Sequence, residues 1–182
     1  FRTTRGWAIV GGVVSAMVLL GLISGRLGQQ AQSPSAAPSL TQFTWSLPTG
    51  TALDSAPVVS PDGRRIAVTA VSGGSTPRLF VWSLDSRGPK VVAGTDGAKQ
   101  PFWSPDGMSL GFFAGGKLMK VAVAGGVPVE ICAAPDGKGG AWSPTGTIVF
   151  GPNMIFEGLA RVSANGGPVQ PATLVDFDRG EN

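Results

Sequence analysis

Ser60-Pro61-Asp62-Gly63 returns as Ser104-Pro105-Asp106-Gly107 and, with one change, as Ser143-Pro144-Thr145-Gly146. The copies stand 44 and then 39 residues apart. Each tetrad suits a tight turn. Pro presets φ near about −65°, Asp tolerates the bridge region, and Gly supplies the positive φ that swings the chain into its next strand. Apolar residues precede each copy: Val58-Val59, Phe102-Trp103 and Ala141-Trp142. Strand-like runs follow at Arg65-Ile66-Ala67-Val68, Leu110-Gly111-Phe112-Phe113 and Thr147-Ile148-Val149-Phe150. Apolar runs on both sides of such a turn predict a hairpin.

A second hairpin follows in every copy. It joins Leu79–Leu84 to Lys90–Ala93 through Asp85-Ser86-Arg87-Gly88, and Lys117–Ala122 to Val129–Cys132 through Gly125-Gly126. In the third copy it joins Leu159–Ser163 to Val169–Pro171 through Asn165-Gly166-Gly167. Four strands per copy at this period predict propeller blades. The fold expected is all-β: a partial β-propeller of about three four-stranded antiparallel blades, preceded by one transmembrane α-helix. The propeller region spans 43–182, with repeats near 57–100, 101–140 and 141–182. Rings of this kind close with about four to eight blades. The expectation is therefore a piece of a longer protein, starting at Phe1 rather than Met and stopping where a fourth unit would begin. An open arc of this kind predicts bare apolar blade faces and aggregation of the soluble portion.

Upstream, residues 6–25 carry no charge, from Gly6-Trp7-Ala8-Ile9 to Leu22-Ile23-Ser24-Gly25. Twenty helical residues span about 30 Å, the thickness of the hydrocarbon layer. Backbone groups unpaired in that layer cost several kcal/mol, so the stretch is expected to be helical. A signal peptide is the rival, but its apolar core is shorter. Arg2 and Arg5 on one side outnumber Arg26 on the other, which places residues 1–5 in the cytoplasm and the blades outside. The expected arrangement is a single-pass membrane protein with its N-terminus in the cytoplasm. Gly12, Ala16, Gly21 and Gly25 are small residues spaced to let two such helices approach, a candidate homodimer face. Residues 26–42, rich in Pro, Ser and Gln, read as a flexible tether.

Of the 182 residues, 42% are hydrophobic and 14% charged, with 28 Gly and 15 Pro. That suits short strands and turns and is too apolar for a disordered chain. The net charge of +3 comes from the three arginines flanking the apolar segment; the remaining basic and acidic residues balance. Basic residues are scattered, so nucleic acid is not an expected partner. The partners expected are the lipid bilayer and an unidentified protein or small ligand of the propeller.

The chain has no His and no Tyr, and one Cys. This removes Ser-His-Asp and Cys-His catalysis and His-containing zinc sites. Cys132 reads as a small buried hydrophobe. No phosphate-binding loop or kinase element occurs. Asp176–Glu181 imitates the start of a calcium loop, but its Gly falls at the fifth place rather than the sixth, and the reading is a polar turn. Asp62, Asp106 and Asp136 each precede Gly and are read as turn residues rather than a ring of carboxylates. Trp82, Trp103 and Trp142 are read as packing between blades. No catalytic residue, cofactor or metal is expected in this chain.

Gly94-Thr95-Asp96-Gly97-Ala98 leading into Pro101-Phe102-Trp103-Ser104-Pro105-Asp106-Gly107 resembles the TolB-type, WD-like propeller repeats of bacterial envelope proteins. Phe112–Leu118 and Gly139-Gly140-Ala141-Trp142 extend the likeness. It is most similar to the extracytoplasmic propeller of membrane-anchored bacterial serine/threonine protein kinases. That resemblance implies a bacterial inner-membrane protein with a periplasmic propeller, a sensor or interaction module whose catalytic domain lies upstream. The same repeats also gate prolyl-oligopeptidase-like serine peptidases, with the hydrolase downstream, and occur in membrane-bound transcription regulators.

Overall fold

The computed structural model describes residues 47–152 and 158–173, and every strand in it is antiparallel to its neighbours. The segment 6–25, with Gly12, Ala16, Gly21 and Gly25, lies outside the described residues, as does Asp176–Glu181. Among the described residues no helix is long and apolar enough to cross a membrane.

Three sheets follow one another along the chain. The first holds β1 (Thr51–Leu53), β2 (Val58–Val59), β3 (Arg65–Ser72), β4 (Arg78–Ser83) and β5 (Lys90–Val91). β1 and β2 both pair with β3, Thr51 opposite Ser72 and Val58 opposite Ala67. They act as one inner strand interrupted over 54–57, where the amides of Asp54 and Ser55 both reach the Thr69 carbonyl. The second sheet is β6 (Lys99–Trp103), β7 (Ser109–Ala114), β8 (Lys117–Ala122) and β9 (Val129–Ala133). The third is β10 (Lys138–Trp142), β11 (Thr147–Gly151), β12 (Ala160–Ser163) and β13 (Gln170–Pro171). Both are meanders in chain order, and every tetrad turn joins the first strand of its blade to the second.

Period-2 alternation gives the middle blade two working faces. Leu110 and Phe112 of β7, with Trp103 and Val121, join Ala67, Leu79, Val81 and Val92 of the first blade. Phe113, with Phe102, Leu118 and Ile131, joins Ile148, Phe150, Ala160 and Val162 of the third. Phe113 stands 6.3 Å from Phe102 and 6.0 Å from Phe150 between ring centres, both tilted. These are favourable aromatic distances. Gly111 and Gly140 stand on either side of Phe102. A Cβ on Gly140 would come within 2.6 Å of that ring, and one on Gly111 would overlap it outright.

The outward faces of the first and third blades differ in character. On the first blade Val68, Ala70 and Phe80, pointing away from the second, are buried. On the third, the outward side chains of β12 are Arg161 and Ser163, and both are exposed. Polar residues at the outward positions suit a sheet face that meets water.

Candidate functional site

The tetrads define one end of each blade. In the first, Ser60 Oγ donates to Asp62 Oδ1 at 2.5 Å, the Arg64 amide donates to the same oxygen at 3.0 Å, and the Arg65 amide donates to Ser60 Oγ at 2.9 Å. The second repeats this: Ser104 Oγ to Asp106 Oδ1 at 2.6 Å, the Met108 amide to Asp106 at 2.9 Å, and the Ser109 amide to Ser104 Oγ at 2.8 Å. In each turn one carboxylate oxygen accepts two hydrogen bonds, from the serine hydroxyl and from the amide two residues on, and the serine oxygen accepts the third. The Ser60 hydroxyl holds Asp62, and the Ser104 hydroxyl Asp106, below the ordinary carboxylate value, helped by the amide two residues on. Pro61, Gly63, Pro105 and Gly107 complete these turns, with both glycines at positive φ.

The third turn differs by more than Thr145. Ser143 pairs with Thr147, four residues on, where Ser60 and Ser104 pair with residues five on. Ser143 Oγ lies 2.6 Å from Thr145 Oγ1 and accepts the Thr145 amide at 3.1 Å, with Pro144 and Gly146 keeping their places in the bend. The turn is one residue shorter, so no amide reaches back across the hairpin to the serine. Asp62 and Asp106 are engaged in their own turns, in keeping with their reading as turn residues, and Asp136 pairs with Lys138 at 2.7 Å.

The first two turns meet at a seam. Arg65 places its guanidinium 5.3 Å from the centre of the Trp103 ring, a cation–π distance, and 3.4 Å from Asp62. A Cβ on Gly107 would stand 3.1 Å from that guanidinium, so the bare Gly107 gives it room. Trp103 Nε1 donates to the Val58 carbonyl of the neighbouring blade at 3.0 Å. Trp142, at the matching place in β10, packs against the core between the second and third blades. Cys132 is buried, and burial pushes its thiol above the ordinary value, as does nearby Glu130.

Outward from this seam, the β4–β5 hairpin and the β8–β9 turn enclose a groove of about 420 Å³. Its floor is aliphatic: Val81 and Val92 are buried, with Val91 and Val123 beside them. Its polar wall holds Arg65, Ser83, Asp85 and Lys90. Neither the Asp85 nor the Lys90 side chain has an ion-pair or hydrogen-bond partner among the described residues. The volume lies in the range of small-ligand sites, which combine apolar walls with a few convergent polar groups. Sequence reading misses this groove because its walls come from hairpins of two different blades.

At the other end of the inner strands, Gln100 has φ 47° and Gly139, at the matching position of β10, has φ 56°. Both sit at register breaks, and Gln100 Oε1 accepts the Gly139 amide. A non-glycine residue in the left-handed region is uncommon. Here the bulge is shared by adjacent blades, and the glutamine side chain bridges them. Among the described residues no group of three or more metal-ligating side chains gathers.

No family model matches the chain, and no curated protein matches it. Solved structures do. A protein assigned as TolB from Agrobacterium tumefaciens superposes with a TM-score of 0.56 at 21% identity, covering 64% of this chain and 45% of its own. TolB from Acinetobacter baumannii gives 0.37 at 17%, covering 63% and 41%. A puromycin hydrolase gives 0.46 at 23%, covering 64% and 21%. The chain spans less than half the length of each of these. At such identity the first likeness establishes the fold alone: the described blades are a partial, TolB-like β-propeller.

Proposed function

We propose that the blades form an extracytoplasmic interaction module, tethered through residues 26–42 to a membrane helix at 6–25. The effector it serves is a serine/threonine kinase domain upstream of Phe1. The observation that carries the interaction reading is the division of labour among polar groups. The tetrad aspartates and Trp103 are committed to building blades and seams, whereas the Asp85 and Lys90 side chains line a groove and have no partner among the described residues. The tether and its orientation rest on the uncharged 20-residue run and on the excess of Arg before it. The kinase association rests on the resemblance of Gly94–Gly107 to that family's extracytoplasmic repeats. Occupancy of the module would bias helix pairing through Gly21 and Gly25, and so the effector inside.

Protease protection of the chain in inner-membrane vesicles tests the tether. Cleavage of 43–182 only from the extracytoplasmic side is expected. Cleavage from the cytoplasmic side, or release of the chain by carbonate washing, would refute the topology. A hydrolase domain downstream, or a winged-helix domain upstream, would replace the kinase assignment.

A further inference from the structure

The groove between the first two blades combines spare cationic donors with an aliphatic floor, and its charges are unequal. Within the lining Arg65 and Lys90 face one anion, Asp85, while Asp62 and Asp106 lie outside it and also act on Arg65. Asp62, outside the lining, touches Arg65 only at 3.4 Å, which leaves most of the five guanidinium donors unused. Lys90 is exposed and unpartnered, at the start of β5, and Ser83 adds a hydroxyl with no partner among the described residues. Below them Val81, Val91, Val92 and Val123 offer a surface without polar atoms in their side chains. Nearby, Pro128 of the β8–β9 turn packs against Gly94, whose hypothetical Cβ would lie 2.8 Å from the proline ring.

We infer that this groove binds a carboxylate carried on a short aliphatic body, with the carboxylate between Arg65 and Lys90 and the aliphatic part on the valines. Guanidinium and ammonium donors are the groups that recognise carboxylates, the former in a forked geometry. Asp85 sits on the same rim and disfavours a second negative charge, so a monocarboxylate is preferred over a dicarboxylate. The chemistry is shared by a peptide C-terminus ending in an aliphatic residue and by a free branched-chain acid. The inference rests on the module reading above. Failure of the groove would leave the membrane topology standing, and failure of the topology would leave the groove's selectivity measurable.

The test uses the full chain in lipid nanodiscs, reading Trp fluorescence and chemical-shift changes at the groove. Three probes are titrated: acetyl-Ala-Ala-Val with a free carboxylate, the same peptide as its C-terminal amide, and isovalerate. The expected result is saturable binding of the free-acid peptide and at least a tenfold loss with the amide. Isovalerate binding as well as the peptide would assign the site to free acids, and much weaker isovalerate binding would assign it to peptide termini. Lys90→Ala, which removes an exposed side chain without a partner among the described residues and keeps the β5 backbone pairing, should weaken binding severalfold, and Lys90→Arg should restore it. Equal binding of acid and amide, no binding of either carboxylate, or indifference to Lys90→Ala would overturn the inference.

Discussion

Trp103 of the second blade donates its indole N–H to the backbone carbonyl of Val58 in the first, across 3.0 Å. A side chain of one blade thereby satisfies the main chain of another, at a place where the inner strand of the first blade is only two residues long. Trp103 is 8% exposed, and its ring receives the Arg65 guanidinium on its face. Trp103→Phe keeps an aromatic face and removes the donor. It should cost about 1–3 kcal/mol, the penalty for leaving a desolvated acceptor unpaired. Chemical denaturation of the full chain, read by circular dichroism, checks this. Stability equal to the parent would mean that the bond contributes nothing.

The Phe102 ring occupies the space that a side chain at Gly111 or Gly140 would need. Gly111→Ala should therefore destabilise by about 1–3 kcal/mol through overpacking, even though alanine ordinarily suits a strand better than glycine. Truncating the ring makes the conflict testable. In the Phe102→Ala background, Gly111→Ala should become neutral or stabilising, with a coupling energy of about 1 kcal/mol or more. Simple additivity would show that the two positions do not compete for one space.

Acid should loosen the tetrad turns. Asp62 and Asp106 are held below the ordinary value of 3.8 by their serine hydroxyls first and by backbone amides second. A depressed folded-state pKa contributes stability that is complete above 3.8 and is lost as pH falls through the lower folded value. The stability profile should thus be flat at neutral pH and fall below about pH 4. The double variant Asp62→Asn, Asp106→Asn should show a lower plateau and a shallower acid limb. An unchanged acid limb would mean that other carboxylates set it.

Much of this architecture is legible in the chain because tetrads report turns and alternating residues report faces. Leu110, Phe112 and Phe113 can be assigned to strands from their order alone, and the aspartates were readable as turn residues. What escapes sequence reading is whatever depends on two blades at once. Arg65 follows the first tetrad at a position that Ser109 fills after the second, so no repeat advertises it. Its seat exists only because Gly107 and Trp103 arrive from the next blade. The groove has the same origin, since Lys90 and Val123 are brought together by packing. Gln100 occupies a left-handed bend normally left to glycine, and the amide it accepts belongs to the following blade. Propensity gives no sign of that, because the compensation is not local.

The third turn supplies the sharpest separation of residue identity from loop length. Thr145 looks like the defect in its tetrad, and replacing it by Asp looks like the repair. Yet in the intact turns the serine hydroxyl also accepts the amide five residues on, Arg65 to Ser60 and Ser109 to Ser104. The third turn has one residue fewer, and Ser143 instead accepts the amide of Thr145 itself. Thr145→Asp alone should therefore change stability by less than about 0.5 kcal/mol, as ordinary surface changes do. Adding one residue after Gly146 together with Thr145→Asp should rebuild the full network and gain about 1 kcal/mol, the worth of a typical net hydrogen bond. Thermal melts of the parent, the single variant and the combined variant decide it. A gain from Thr145→Asp equal to that of the combined change would show that the carboxylate, not the length of the turn, is what the third blade lacks.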